Sequence, residues 1–284
     1  MTELLQAQAV RVRFRTHGGL HAKIAGVKDP FIDAVMQVSF SLRKGETLGL
    51  VGESGSGKTT LGRAIIGLVE TQEGSIQFDG REILGLSASE YKGVRREVGM
   101  MFQDPVASLS PRKTVKNLII EPFKIHALTD RDVEAEADRL LQMVGLHAGF
   151  KNAFPHQLSG GQARRVGVAR ALALNPRMII ADEPTTALDV TIQAQILELV
   201  RELRQDHGMG IVWITHDLGV IAHTVEYVYV MYLGQVVEEG PVAEIFDRPA
   251  HPYTQALLHS IPSLTQPTQH LEPIEGSVPS AYAL

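Results

Sequence analysis

The stretch Thr47–Val69, TLGLVGESGSGKTTLGRAIIGLV, decides how the chain is read. The apolar run Thr47–Val51 reads as a strand. Gly52-x-x-x-x-Gly57-Lys58-Thr59 follows it, and helical text follows that. Strand, glycine loop and helix in this order form the Walker A pattern. The segment Gly52, Glu53, Ser54, Gly55, Ser56, Gly57, Lys58, Thr59 and Thr60 is therefore the candidate phosphate site. Its glycines let backbone N–H groups wrap phosphates as a nest. Lys58 supplies a positive charge, and the Thr59 hydroxyl is placed to ligate magnesium.

A second glycine-bearing stretch is Leu158–Gln162, LSGGQ, which runs on into ARRVGVARALAL. Ser159 and Gln162 have the spacing of a capping box at a helix start. That spacing accounts for the serine and the glutamine but not for Gly160 and Gly161. Glycine inside a helix costs about 1 kcal/mol relative to alanine. Glycine pairs are used where a backbone must be approached closely, and a helix N-terminus is an anion site. These residues alone fit both a plain cap and a phosphate clamp.

The chain has 284 residues, 44% hydrophobic and 21% charged, with a net charge of −5. That is enough for one or two domains with a large core. The charge argues against a mainly electrostatic nucleic-acid binder, and basic runs such as Arg164–Arg165 read as solvated faces. There is no cysteine, which excludes disulfides, thiolate zinc sites and iron–sulfur clusters. No apolar run reaches the about 18 residues of a membrane span. The start, MTELLQAQAV, lacks a signal-peptide pattern. The expectation is a cytosolic protein that meets membranes through a partner.

Along the chain, LQAQAVRVRF alternates as a strand leading to Phe14, and AVMQVSFSLRKGE reads as another ending in a turn. SIQFDGREI reads as a hairpin around Asp79-Gly80. These predict a small antiparallel sheet. Helical texture dominates from about Ser89 to Leu174. MIIAD and GIVWITHD are buried strands separated by the helical TIQAQILELVRELRQDHG, which predicts a parallel sheet. After GQVVEEG, Pro249, Pro252, Pro262, Pro267, Pro273 and Pro279 punctuate a polar tail, with YTQALLHSI its regular part.

Polar ends of buried strands are where chemistry can sit. MIIADEP ends on Asp182, expected to hold magnesium through water, and Glu183, expected to polarise the attacking water. VWITHD places His216 where it can reach a γ-phosphate. GMMFQDP places Gln103 where its amide can ligate magnesium or touch that water. The reaction these groups suit is phosphoryl transfer to water.

GESGSGKTT, FQDP, LSGGQ, MIIADEP and ITHD, in that order, resemble the nucleotide-binding subunit of ABC transporters over nearly the whole chain. The resemblance implies a P-loop NTPase, RecA-like α/β core with a parallel sheet. It adds an N-terminal antiparallel β subdomain, an inserted helical subdomain at about 89–174 and a C-terminal extension. The ATP-binding domain spans 1–245 and the extension 246–284. Asp182–Glu183, Gln103 and His216 match the Walker B, Q-loop and H-loop positions, Asp189 in TALDV matches the D-loop, and Phe14 lies where an aromatic ring meets adenine.

In that family Ser159, Gly160, Gly161 and Gln162 bind ATP held by a second subunit. Two ATP molecules join two such domains, and hydrolysis releases them. The implied ligands are ATP and Mg2+. The implied partners are a second ATP-binding subunit, identical or homologous, two integral-membrane permeases and, indirectly, an extracytoplasmic solute-binding protein, with no nucleic acid. The implied location is the cytoplasmic face of the inner membrane. FQDPVASLSPRKTVKNLIIEPFKIH and RPAHPYTQALLHSIPS look like the oligopeptide/dipeptide importer ATPases. Members often continue past G-x-V-P-S into a cysteine-containing stretch, whereas this chain reads GSVPSAYAL. Related importers carry nickel, glutathione or sugars, so a non-peptide solute is the alternative. A soluble repair or translation ATPase is less favoured, since there is no room for a long coiled coil or a second cassette. A non-hydrolysing regulatory subunit conflicts with the presence of Glu183 and His216. A GTPase conflicts with the lack of Asn-Lys-x-Asp.

Overall fold

A computed structural model of the protein describes residues 3–15, 31–128, 130, 132–186 and 190–260. In chain order the elements begin with β1 (Glu3–Arg15), β2 (Phe31–Arg43), β3 (Thr47–Val51), α1 (Lys58–Ile65), β4 (Glu73–Phe78) and β5 (Arg81–Glu82). Then come α2 (Ala88–Glu97), β6 (Val98–Met101), α3 (Pro105–Ser108), α4 (Val115–Ile119), α5 (Glu121–Ile125), α6 (Val133–Met143) and α7 (Gly160–Leu172). The rest are β7 (Met178–Asp182), α8 (Val190–His207), β8 (Gly210–Thr215), α9 (Leu218–Thr224), β9 (Tyr227–Tyr232), β10 (Gln235–Pro241), α10 (Val242–Asp247) and α11 (Pro252–His259).

These elements divide into two units. The first comprises residues 1–43, 47–85 and 215–284. Its antiparallel sheet has the order β2-β1-β4-β5. Leu5 and Ala7 of β1 are buried, then Val10 and Val12 past an irregularity at Ala9, and so are Val38, Phe40 and Leu42 of β2, as alternation along a half-covered sheet requires on either side of a bulge. The expected hairpin is present: Gln77 faces Glu82 and Phe78 faces Arg81. Asp79 and Gly80 turn between them with φ of 52° and 74°, the backbone of a tight two-residue turn. In the same unit β3 lies parallel to β9, with Val51 beside Val230, and β9 returns antiparallel as β10.

The second unit comprises residues 44–46 and 86–214. Here β6, β7 and β8 run parallel, with Met101 beside Ala181 and Asp182 beside Ile214. Every residue of β7 is buried, the continuous apolar pattern of a strand covered on both faces. The helical texture from Ser89 onward is interrupted by β6, a four-residue apolar run that pairs with β7. Pairing against a buried neighbour outweighs weak local preference in so short a run. The helices begin where the sequence supplies caps. Ser87 and Glu90 form a capping box at α2, and the Asp132 carboxylate accepts from the Glu134 and Ala135 N–H groups at α6.

Helix α7 sits against β6 at Gly99. A Cβ there would lie 2.6 Å from the Ala171 carbonyl oxygen, and neither backbone can yield cheaply. Gly99→Ala is expected to lower unfolding stability by about 1–3 kcal/mol, read as a shift of the urea midpoint. An unchanged midpoint would contradict this packing.

Candidate active site

In the first unit the glycine loop closes onto its own lysine. Gly52 and Gly57 have φ of 148° and 99°, and added Cβ atoms would stand 2.1 Å from the Met231 oxygen and 2.3 Å from the Ala34 oxygen. No L side chain fits either place. Gly57 is also the N-cap of α1, so the loop feeds a helix start, where N–H groups and the helix dipole favour an anion. Lys58 is buried. Its ammonium donates to the Gly52 and Glu53 carbonyls, both at 2.7 Å, and to Ser56 Oγ at 3.0 Å. An ammonium in so buried a loop, next to a helix start, suits an anionic partner. Gly55 faces open space, and Ser54 beside it is exposed. Thr59 and Thr60 lie in the first turn of α1. A hydroxyl is a hard oxygen donor of the kind magnesium takes.

Two more of the candidate residues belong to this unit. Phe14, near the end of β1, is 45% exposed and stands opposite Ile32. His216 is exposed just beyond β8. Asp217 next to it is structural: its carboxylate accepts from the Gly219 and Val220 N–H groups and caps α9.

In the second unit the acids at the end of β7 occupy contrasting settings. Asp182 is fully buried. Glu183 has φ of 47°, a left-handed backbone that a residue with a long side chain adopts at a cost of order 1–3 kcal/mol, and such strain gathers at functional positions. Its N–H donates to the Ile214 carbonyl at 2.8 Å, which pins the turn to β8. One carboxylate oxygen of Glu183 accepts from Gln103 Nε2 at 3.2 Å and from Thr186 Oγ1 at 3.1 Å. Gln103 and Glu183, read separately from sequence, are therefore brought together. Asp189 lies outside the described residues.

The LSGGQ stretch starts α7. Ser159 Oγ accepts from the Gln162 N–H at 3.2 Å, and Gln162 Oε1 accepts from the Ser159 N–H at 2.9 Å. The capping box is thus present, and the two glycines take no part in it. A Cβ on Gly160 would meet nothing within 4 Å, and one on Gly161 would only touch Ile192 at 3.4 Å. Neither glycine has positive φ. The described fold requires no glycine at position 160.

Two arginines overturn a sequence expectation. Arg164 and Arg165 are not a solvated face. Arg164 is buried, and its guanidinium donates to the Pro184 carbonyl at 2.8 Å and the Glu183 carbonyl at 3.4 Å. Burial pushes its pKa down from the usual value, while the carboxylates of Asp104 and Glu183 pull it back up. Arg165 donates to the Val144 and Gly145 carbonyls at 3.1 and 3.2 Å. The missed signal is position. Both lie one turn past a capped helix start, and α7 is covered by its own unit, so a basic pair there meets carbonyls rather than water. Arg164 ties the LSGGQ helix to the backbone that carries Glu183. Thr186, which holds the Glu183 carboxylate, had no sequence signal beyond its closeness to the acid pair.

Arg164→Ala would leave two carbonyls without this donor. It is expected to cost about 2 kcal/mol of stability, measured by denaturant unfolding. Arg164→Lys should recover less than half of that, because one ammonium does not reproduce a planar fork. Full recovery by lysine would contradict the guanidinium's role.

Comparison with known proteins bears on the same residues. A family model described as "ABC transporter" matches residues 35–186. A second, described as "Oligopeptide/dipeptide transporter, C-terminal region", matches residues 237–284. The oligopeptide transport ATP-binding protein AppF of Bacillus subtilis is 49% identical over 262 residues, which cover 91% of this chain and 78% of that one. The oligopeptide transport ATP-binding protein OppF of Escherichia coli is 43% identical, with 88% and 76% covered. The glutathione import ATP-binding protein GsiA of Salmonella paratyphi A is 44% identical over 94% of this chain but only 42% of its own length. Among solved structures, the dimeric post-hydrolysis state of the ATP-binding cassette MJ0796 bound to ADP and Pi superposes with a TM-score of 0.74 at 30% identity. That match covers 84% of this chain and 98% of the cassette.

Proposed function

The chain belongs to the ABC transporter family and is an ATP-binding, ATP-hydrolysing subunit, and from that premise we propose that it powers uptake of peptides through membrane permeases. The two curated proteins above that are named for oligopeptide transport, and the match of residues 237–284 to the oligopeptide/dipeptide C-terminal region, favour peptides over other solutes. The similarity to a glutathione import protein keeps a short peptide-like solute as the second reading. Among the described residues no helix is long and apolar enough to cross a membrane, so the membrane path belongs to partner subunits. We place the chain at the cytoplasmic face of the membrane, with residues 1–245 as its ATP-binding domain, about 89–174 as the helical part, and 246–284 as the extension.

We assign the residue roles as follows, with the settings described in support. The loop from Gly52 to Thr60 binds the phosphates through its N–H groups, and Lys58 keeps the Gly52 carbonyl while exchanging another of its oxygen partners for a phosphate oxygen. The half-exposed ring of Phe14 stacks on adenine. Thr59 supplies a hydroxyl to magnesium, Asp182 holds it through water, and Gln103 reaches it or the attacking water. Magnesium, when bound, neutralises charge on the transferring phosphoryl group. Glu183 accepts the proton of the attacking water and His216 orders the γ-phosphate. The Gln103 bond keeps the Glu183 carboxylate aimed until water arrives. Asp189, at the D-loop position, is assigned to nucleotide binding.

The observation that carries this reading is the open backbone at Gly160. A helix start leaves its first N–H groups without intrahelical acceptors, and here two residues without side chains present them outward. The occupant we assign is the γ-phosphate of ATP held by a second cassette, with Ser159, Gly160, Gly161 and Gln162 closing over it. ATP thus joins two cassettes, either two copies of this chain or this chain and a homologue, and hydrolysis parts them.

Two variants test this. Glu183→Gln should keep ATP binding and lower phosphate release by at least about a hundredfold, while favouring an ATP-bound dimer by light scattering. Normal turnover would rule out the assigned role. Gly160→Asp fits open space, and an acid in the first turn suits the helix dipole. It should leave thermal stability unchanged or slightly raised and ATP binding by the single subunit intact, yet abolish dimer-dependent hydrolysis. Retained hydrolysis would refute the clamp.

A further inference from the structure

The region matched as the transporter C-terminal extension reaches back to the nucleotide loop. Tyr253, in the first turn of α11, is 7% exposed, and its hydroxyl oxygen accepts the Glu53 N–H at 2.9 Å. That N–H belongs to the same peptide unit as the Gly52 carbonyl, which accepts from Lys58 Nζ at 2.7 Å. A peptide unit is planar and rigid. Whatever fixes its N–H fixes the direction of its carbonyl. The Gly52–Glu53 peptide is therefore held at one end by the Lys58 ammonium and at the other by a phenol from α11.

The phenol is itself anchored twice. Its ring lies against Tyr232, at the end of β9, with centroids 4.3 Å apart. Its own N–H donates to His251 Nδ1 at 3.1 Å. The approach to α11 is tied to β10, because the Glu238 carboxylate accepts from the Ala250 and His251 N–H groups at 2.7 and 3.0 Å. Pro252 in the first helical turn presets the backbone entering α11. Burial pushes the Tyr253 hydroxyl up to about 12, so it stays a neutral phenol across the physiological range. Nothing in the sequence patterns assigned Tyr253 a role, and HPYTQALL serves there only as a mark of the extension.

We propose that Tyr253 is a positioning residue for the nucleotide loop, orienting the Gly52–Glu53 peptide so that its carbonyl presents Lys58 to the phosphates. This rests on the reading of Gly52–Thr60 as the ATP site and deepens it. Without the phenolic oxygen the Glu53 N–H turns to water, and the peptide becomes free to rotate. The loop then spends only part of its time in the binding geometry, and apparent affinity falls by that fraction. At saturating ATP the loop is held in place, so turnover per bound nucleotide persists.

Tyr253→Phe keeps the ring and its contact with Tyr232 while removing the acceptor. Calorimetric titration of the purified full chain with ATP and Mg2+ should show Kd raised about tenfold, the scale of one lost hydrogen bond to a partly buried group. KM should rise in parallel, and kcat should stay within twofold. Tyr232→Phe, which keeps both rings, should bind as the wild type does. Binding by Tyr253→Phe within twofold of wild type overturns the inference, as does a fall in kcat at unchanged Kd, which marks a merely structural residue. A wild-type chain that binds no ATP overturns the function reading and this inference with it. Should the variant fold poorly, amide hydrogen exchange of the nucleotide-free wild type decides: slow exchange at Glu53 supports the proposal, and exchange at the rate of an open loop contradicts it.

Discussion

Backbone that the described residues leave uncovered is the constraint on which the account turns. Helix α7 begins with two glycines, and a side chain on the first would enter open space. Glycine is a poor helix former, by up to about 1 kcal/mol inside a helix, and at this position nothing within the described residues requires it. The cap, which would explain an ordinary helix start, is satisfied by Ser159 and Gln162 alone. Nothing among the described residues accounts for the bare N–H groups. A phosphate is the ligand that helix starts of this kind favour, which is why we assign them to ATP of a second cassette. Similarity to a cassette solved as a dimer with ADP and Pi is consistent with that source.

The same helix is physically joined to the turn after β7 that carries Glu183. Arg164 lies on α7 and donates to the carbonyls of Glu183 and Pro184. Glu183 is in turn strained at φ 47° and held by Gln103 and Thr186. A displacement at the helix start would be carried by a buried guanidinium to the backbone of the acid assigned to activate water. Rigid, buried, charge-assisted bonds suit such transmission better than an exposed ion pair, which is worth little and is screened by salt. The Tyr253 contact is a second link of this type, from the extension to the nucleotide loop. Both links join segments far apart in sequence through a single buried side chain.

What the sequence made legible has a common physical character. The phosphate loop, the β4–β5 hairpin and the capping box are local: a few adjacent residues with fixed spacing determine their own geometry, and Gly57, Asp79-Gly80 and Ser159–Gln162 all behave as their neighbours dictate. The buried strands β7 and β8 announce themselves by unbroken apolar runs. The apolar run before Gln103 was legible as a strand end, but its parallel pairing with β7 was not, because four residues inside helical text carry no period of their own. Arg164 and Tyr253 were also hidden. Their partners lie 20 and 200 positions away, and no local pattern distinguishes an arginine that finds carbonyls from one that finds water. Gln103 and Glu183, 80 positions apart, were nominated singly, but their mutual bond was not.

The most direct measurement is residue-resolved amide hydrogen exchange at Ser159, Gly160 and Gly161 in the hydrolysis-blocked Glu183→Gln chain. It is made with and without ATP, over a range of protein concentrations and in the assembled transporter. The account predicts that ATP slows exchange at Gly160 and Gly161 only when a second cassette is present, with protection rising as cassettes pair. Protection that is the same in a dilute single chain, or no protection in the assembled pair, would contradict it.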